Sequence, residues 1–209
     1  MDSKAHWENV YRTRLPTEVS WFQPNAARSL ALIRQVNPPP GDSIIDIGGG
    51  ASTLVDDLLD AGYRDLTVLD LSGTALGITR SRLGDRERVV KWIEADLLEA
   101  SLPEAAFAVW HDRAVFHFLT TPYSRARYLA QVRNAVRPGG HVLIATFAED
   151  GPTRCSGLEV ARFSTDGLHA LLGGGFEPLT NEREEHVTPA GITQAFNYCL
   201  YRVDRSAGG

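Results

Sequence analysis

Between residues 43 and 147 the chain alternates short apolar runs with longer amphipathic stretches, and this rhythm constrains its fold more than any other feature. The runs at 43–47, 66–69, 89–93, 107–110 and 141–147 are strand-length. The stretches at 52–61 and 72–83, and the one carrying Tyr128, Leu129, Val132 and Val136, have helical spacing. Such βα repeats call for parallel strands with helices packed on the sheet. The last quarter breaks the rhythm: a short helix at 165–172 and a run of glycines lead to two long strand-like segments, 176–186 and 193–203. Thr188-Pro189-Ala190-Gly191 between them reads as a reversing turn, so these two should pair antiparallel. The expected fold class is α/β: a doubly wound, seven-stranded sheet, mostly parallel, with an antiparallel C-terminal hairpin.

An arm precedes the sheet. Trp7, Val10, Tyr11 and Arg14 fall at helical spacing and carry an aromatic stripe; Trp21-Phe22 follow, and Asn25 is placed to cap a helix running to about Val36. Asn37-Pro38-Pro39-Pro40-Gly41 stops that helix. The expected organisation is a helical arm or lid over 1–41, a core over 42–203 and a frayed tail over 204–209. At 209 residues and 43% hydrophobic the chain suits one well-buried core. Its net charge of −5 leaves no excess of Lys and Arg for a nucleic-acid footprint or an electrostatic membrane anchor. Cys155 and Cys199 are far apart and outside any metal or disulfide spacing, so no metal is expected. With no secretory signal at Met1–His6 and no apolar run approaching about 20 residues, a cytoplasmic monomer or weak homodimer is expected.

In an open α/β sheet, ligands bind beyond the carboxyl ends of the strands. Asp46, Asp70, Asp96 and Asp112 sit at or just past four such ends. Helix capping accounts for any one of them alone, but four along one edge point to a ligand. Gly48-Gly49-Gly50 directly after the first strand lets the chain turn sharply and brings backbone close to that ligand. Asp70 follows Gly50 by 20 residues, where a carboxylate can accept two hydrogen bonds from ribose hydroxyls. A dinucleotide enzyme shares both features. Asp46 separates the two: a carboxylate ahead of the turn disfavours a pyrophosphate and suits an ammonium and a sulfonium. Thr53 stands where the dinucleotide fingerprint has Gly or Ala.

Asp46-Ile47-Gly48-Gly49-Gly50, the strand-end Asp70, Glu94-Ala95-Asp96-Leu97 and Arg137-Pro138-Gly139-Gly140-His141-Val142-Leu143-Ile144 together resemble the successive motifs of class I S-adenosylmethionine-dependent methyltransferases. The final hairpin is similar to the sixth and seventh strands of that Rossmann-like fold. The resemblance implies S-adenosylmethionine as cofactor and S-adenosylhomocysteine as product. It implies that Asp46 and the backbone of Gly48, with Gly49 and Gly50, hold the methionine end. Asp70, with Leu71 beside it, would take the ribose, and Asp96 with the Leu97 amide the adenine. Methyl transfer of this kind rests on positioning, with a base needed only if the acceptor arrives protonated. Trp7, Tyr11 and Trp21 are expected to fold over the cofactor, since aromatic faces attract a sulfonium and exclude water; ordinary helix packing is the alternative.

Residues 109–119 should line the acceptor pocket, and they lack the Asn/Asp-Pro-Pro-Tyr/Phe pattern associated with nucleobase and glutamine amino groups. Trp110-His111-Asp112-Arg113-Ala114 is similar to the corresponding segment of thiopurine methyltransferases, and residues 163–186 resemble tellurite-resistance methyltransferases in layout. Both imply a small-molecule acceptor, a thiol or another soft chalcogen nucleophile. The arm, His6-Trp7-Glu8-Asn9-Val10-Tyr11 with Trp21-Phe22, resembles both the thiopurine group and eukaryotic enzymes acting on elongation-factor lysines. A protein-lysine acceptor therefore stays open, as does a non-catalytic S-adenosylmethionine-binding protein. His111, Asp112 and His117 are the candidate catalytic residues, with His186 a further candidate base. Arg113 is expected to pair with Asp112 or to orient an anionic acceptor. Phe116 and Phe118 suit a pocket wall or the core, and Cys155 follows the fifth strand without a nucleophilic task.

Overall fold

The protein is described by a computed structural model covering residues 3–204, so the expected tail falls outside the described residues apart from Asp204. An N-terminal helix α1 (Ser3–Thr13) and a single-turn helix (Pro16–Glu18) lead to α2 (Ala27–Gln35). The sheet region then runs β1 (Ile44–Ile47), α3 (Leu54–Asp60), β2 (Leu66–Asp70), α4 (Gly73–Leu83), β3 (Val90–Glu94), β4 (Phe107–Arg113), α5 (Pro122–Ala135) and β5 (Val136–Phe147). A minor ribbon of β6 (Arg154–Cys155) and β7 (Leu158–Glu159) precedes α6 (Thr165–Leu172), β8 (Phe176–Val187) and β9 (Thr193–Val203).

The main sheet has seven strands in the order β3-β2-β1-β4-β5-β9-β8. β1 to β5 pair in parallel, while β9 runs antiparallel to both β5 and β8. Strand order reverses between β1 and β4, so the crevice at their carboxyl ends is where a ligand fits in such a sheet. There Asp46 lies in register with His111, and Ile47 with Asp112.

Helices cover both faces of the sheet, and the alternation of side chains along each strand divides the core in two. Ile44, Val68, Val109 and Leu143 pack with Leu32, Ile33, Leu54 and Leu58 on one side. Ile45, Ile47, Trp110 and Ile144 pack with Tyr128, Val132 and Leu168 on the other. Being covered on both sides, β1 needs no polar face, and all four of its residues are buried, Asp46 included. Ser72, Thr121 and Ser164 each accept a hydrogen bond from an amide in the first turn of α4, α5 and α6, which fixes where those helices start.

Three boundaries differ from the sequence expectation. Asn25 does not cap α2: the helix begins at Ala27, and the Ala26 amide donates instead to the Asp57 carboxylate of α3 at 2.6 Å. β4 does not stop at Trp110 but continues through Arg113, because its register with β1 and β5 persists and buries the polar pair His111 and Asp112. Arg137-Pro138-Gly139-Gly140 does not close a helix ahead of the strand but lies inside β5, bulging from the ladder where pairing jumps from Phe107↔Val136 to Val109↔His141. Pro138 has no amide to give the ladder, and Gly139 takes φ +73°, the left-handed region. Among the described residues no helix is long and apolar enough to cross a membrane.

Candidate active site

The glycine turn leaves β1 at the point where strand order reverses. Gly48 has φ +65°, and a β-carbon there would overlap the Val115 side chain; one on Gly49 would overlap the Asp46 carboxylate. Two of the donors that such a turn offers a phosphate are already spent. The Gly48 amide donates to the Leu69 carbonyl at 2.7 Å, and the Gly50 amide to Asp70 Oδ2 at 3.0 Å. What remains beside the turn is an acceptor. Asp46 is 3% exposed; its Oδ1 lies 2.7 Å from His111 Nδ1, while its Oδ2 has no hydrogen-bond partner. A carboxylate only accepts, so His111 donates through Nδ1, and its Nε2 lies 2.9 Å from the Ser29 hydroxyl. A buried carboxylate oxygen without a donor costs free energy, and an ammonium supplies that donor. The turn therefore fits the methionine end of S-adenosylmethionine and fits a pyrophosphate poorly.

Next to the turn lies a cavity of about 230 Å³. Gly48, Asp70, Leu71, Asp96 and Leu97 line it together with Trp7, Tyr11, Trp21, Phe118, Cys155 and Arg113. Asp70 Oδ1 accepts the Ser72 amide at 2.8 Å; burial pushes its carboxyl up to about 6, against the pull of the amides that hold it. Asp96 is exposed and holds the Leu98 amide at 2.8 Å, which shapes the loop after β3. The aromatic rings meet edge to face: Trp7 lies 5.2 Å from Phe118 and 5.6 Å from Trp21, and Tyr11 6.2 Å from Trp21. α1 is fastened over the cavity by Glu8, whose carboxylate takes the Thr74 amide at 3.3 Å and the Thr74 hydroxyl.

The structure does not bring His111, Asp112 and His117 together. His111 and Asp112 are neighbours on a strand and point to opposite faces, and only His111 reaches the crevice, beside a smaller pocket shared with Asp46, Gly48 and Gly49. Asp112 is fully buried, accepting the Tyr128 hydroxyl at 2.8 Å and the amides of Val115 and Phe116 at 3.0 and 3.2 Å. Tyr128 also accepts Trp110 Nε1 at 2.9 Å. Asp112 thus shapes the loop that presents Ala114 and Val115 to the cavity, and burial pushes its carboxyl up to about 6. His117 lies outside the walls of both pockets, its ring centroid 4.6 Å from those of Phe118 and Phe147. Neither of its nitrogens has a partner, and burial holds it neutral, its pKa lowered to about 3. His186 Nε2 sits 2.7 Å from the Ser20 carbonyl, away from the cavity lining.

Arg113 does not pair with Asp112, again because adjacent strand residues face opposite ways. It donates through Nε to the Tyr198 hydroxyl at 2.7 Å and through Nη1 to the Trp21 carbonyl at 3.1 Å. Phe116 is core, whereas Phe118 is cavity wall. Burial pushes the Cys155 thiol up to about 11, so it stays protonated near neutral pH. Ser29 was missed by sequence reasoning, although the signal was present: it lies on the buried stripe of α2 with Leu32 and Ile33. Val115, which closes on Gly48, carried no signal, because its approach depends on the left-handed Ala114 (φ +67°) before it.

Comparison with known proteins agrees with this geometry. Residues 44–140 match a family described as "Methyltransferase domain". The chain is 26% identical over 174 residues to the eEF1A lysine and N-terminal methyltransferase of Danio rerio, covering 82% of this chain. It spans only 25% of that relative's length. Among solved structures it superposes, with TM-score 0.79 and 19% identity over 98% of this chain and 94% of the other, on one described as the conversion of a disulfide bond into a thioacetal group during echinomycin biosynthesis. It also superposes on the 1,6-didemethyltoxoflavin-N1-methyltransferase of Burkholderia thailandensis, whose structure holds S-adenosylhomocysteine. That match has TM-score 0.69 and 22% identity over 97% of this chain and 84% of the other. The match to a methyltransferase domain over residues 44–140 and the sheet order thus give the chain the fold of S-adenosylmethionine-dependent methyltransferases.

Proposed function

We propose that this chain methylates a small soft nucleophile, a thiol or related chalcogen. The observation that carries this reading is the chemistry of the cavity wall. Among the described residues, Asp70 and Asp96 are the carboxylates lining the main cavity, and no imidazole lines it. With both carboxylates given to the cofactor, the wall keeps no base to strip a proton from an amine. A thiol, ionising near pH 8.5, reaches its nucleophilic form without one. Bound in the crevice, S-adenosylmethionine supplies a methyl group on a cationic sulfur, open to in-line displacement that leaves S-adenosylhomocysteine.

The chain's own residues bind and shield. Asp46 Oδ2 takes the ammonium, oriented by the His111 and Ser29 chain of hydrogen bonds. Asp70, with Leu71, takes the ribose hydroxyls, and Asp96 with the Leu97 amide the adenine. Gly48, Gly49 and Gly50 allow the close approach. Trp7, Tyr11 and Trp21 cover the sulfonium with aromatic faces and keep water out. His111 and Asp112 serve as positioning residues and His117 as packing, so catalysis rests on orientation rather than on a protein base.

A second reading, a protein-lysine acceptor, is favoured by the similarity to eEF1A lysine methyltransferases. Radiolabelled S-adenosylmethionine offered with a panel of thiols, selenium and tellurium oxyanions, amines and whole-cell lysate separates the two. Label in a small thioether or volatile chalcogenide is the expected result. Label confined to a protein band overturns it in favour of lysine, and tight cofactor binding with no transfer to any acceptor leaves a binding protein.

A further inference from the structure

Arg113 closes β4 and lines both the main cavity and the smaller pocket beside Asp46, so it stands where the aromatic chamber meets the methionine end. Its side chain is nine-tenths buried, at 9% exposed. Nε and Nη1 are held by Tyr198 and by the Trp21 carbonyl, and the guanidinium carbon lies 4.5 Å from the centre of the Phe196 ring. The fork is therefore fixed before any ligand arrives.

Nη2 is left over. It makes no hydrogen bond: its ion-pair partner Glu184 Oε2 stays 3.7 Å away and already accepts the Tyr198 hydroxyl at 2.9 Å. A brace for the arm needs only the contacts through Nε and Nη1. A buried guanidinium nitrogen without an acceptor is costly, so the site is built for an acceptor supplied from outside the chain. Among the described residues lining the main cavity, Arg113 is the one cation, and the two carboxylates there belong to the ribose and adenine part.

We propose that Arg113 selects the methyl acceptor by binding an anionic group on it, so that the preferred substrates are small thiols bearing a carboxylate. This rests on the reading of the cavity as a site for soft nucleophiles. The carboxylate takes the free Nη2 hydrogens, and the aromatic walls hold the rest of the molecule with its sulfur toward the cofactor. Neutral thiols fit the same walls without this anchor.

The test compares 3-mercaptopropionate with its amide as acceptors for the wild-type protein, with rates expressed per thiolate. The acid is expected to show a KM roughly 10- to 100-fold lower, as one charge-assisted hydrogen bond implies, with kcat similar. Arg113→Gln should erase that preference, and Arg113→Lys should keep part of it. S-adenosylhomocysteine binding by calorimetry checks that each variant is folded. Equal KM values for acid and amide in the wild type overturn the role of Arg113 while leaving the thiol reading intact. Methylation of neither thiol overturns the thiol reading and this proposal with it.

Discussion

At the scale of single residues, the decisive group is a carboxylate oxygen with nothing to bind. Asp46 Oδ2 is buried beside a turn two of whose amides are spent, so it stands ready for a cation. Asp46→Asn should weaken S-adenosylmethionine binding roughly 10- to 100-fold by calorimetry, with little change in melting temperature. His111→Gln should weaken the same binding while leaving the pH profile of kcat unmoved; loss of an alkaline or acidic limb would instead make His111 a base. Asp70 adds a pH dependence whose sign follows from its burial. Its folded carboxyl is pushed up to about 6, above the ordinary aspartate value, so its ionisation costs the unliganded fold. The stabilisation it gives when protonated is complete below the ordinary value and is lost as pH rises through about 6. Ribose hydroxyls need the ionised form, so the cofactor-induced rise in melting temperature should grow between pH 5 and 7.5. A flat profile would remove Asp70 from the ribose site. Asp46 and Asp70 were legible because they punctuate strand ends. The orphaned oxygen was not, since which carboxylate oxygen lacks a donor depends on partners brought from β4 and α2.

At the scale of elements, the parallel sheet and the closing hairpin could be read from pattern alone, because strands buried on both faces form near-continuous apolar runs. The ends were harder. β4 carries His111, Asp112 and Arg113 within the strand, and polar residues there look like its termination until the neighbouring strands are seen to pair with them. The same error put His111 and Asp112 at one site, although adjacent strand residues must part to opposite faces. On its own face Asp112 holds the loop after β4 together with α5 through Tyr128. Tyr128→Phe removes a hydroxyl that bridges Trp110 and Asp112, leaving two buried groups short of a partner. A loss of about 1–3 kcal/mol in chemical denaturation is expected, with the cofactor site loosened through Val115. An unchanged midpoint would show that the bridge holds nothing.

At the scale of the whole molecule, the N-terminal segment does two jobs. α2 contributes Leu32 and Ile33 to the core, and Arg28 and Gln35 reach across to Glu182 and Thr180 on the edge strand β8. α1 instead roofs the cavity, with Val10 and Tyr11 its buried residues. Removing residues 1–13 should therefore leave cooperative unfolding in place while weakening cofactor binding. Loss of folding in that truncation would show that α1 is part of the core. The sequence showed the aromatic stripe on α1 and the expectation that it folds over the cofactor, but it left Phe118 open between pocket wall and core, because the contact of that ring with Trp7 joins distant parts of the chain.

The roof also bears on timing. Trp7 rests edge to face on both Trp21 and Phe118, so a gate of packed rings narrows the way in and out of the cavity. Methyl donor passes these rings on its way in, and the spent donor passes them on its way out. Turnover should then be ordered, with a burst of methylated product in the first cycle and a slower steady rate set by the gate. Trp7→Ala should raise the steady rate at saturating donor even as it loosens donor binding; a variant slowed in both would show that the tryptophan serves the chemistry instead.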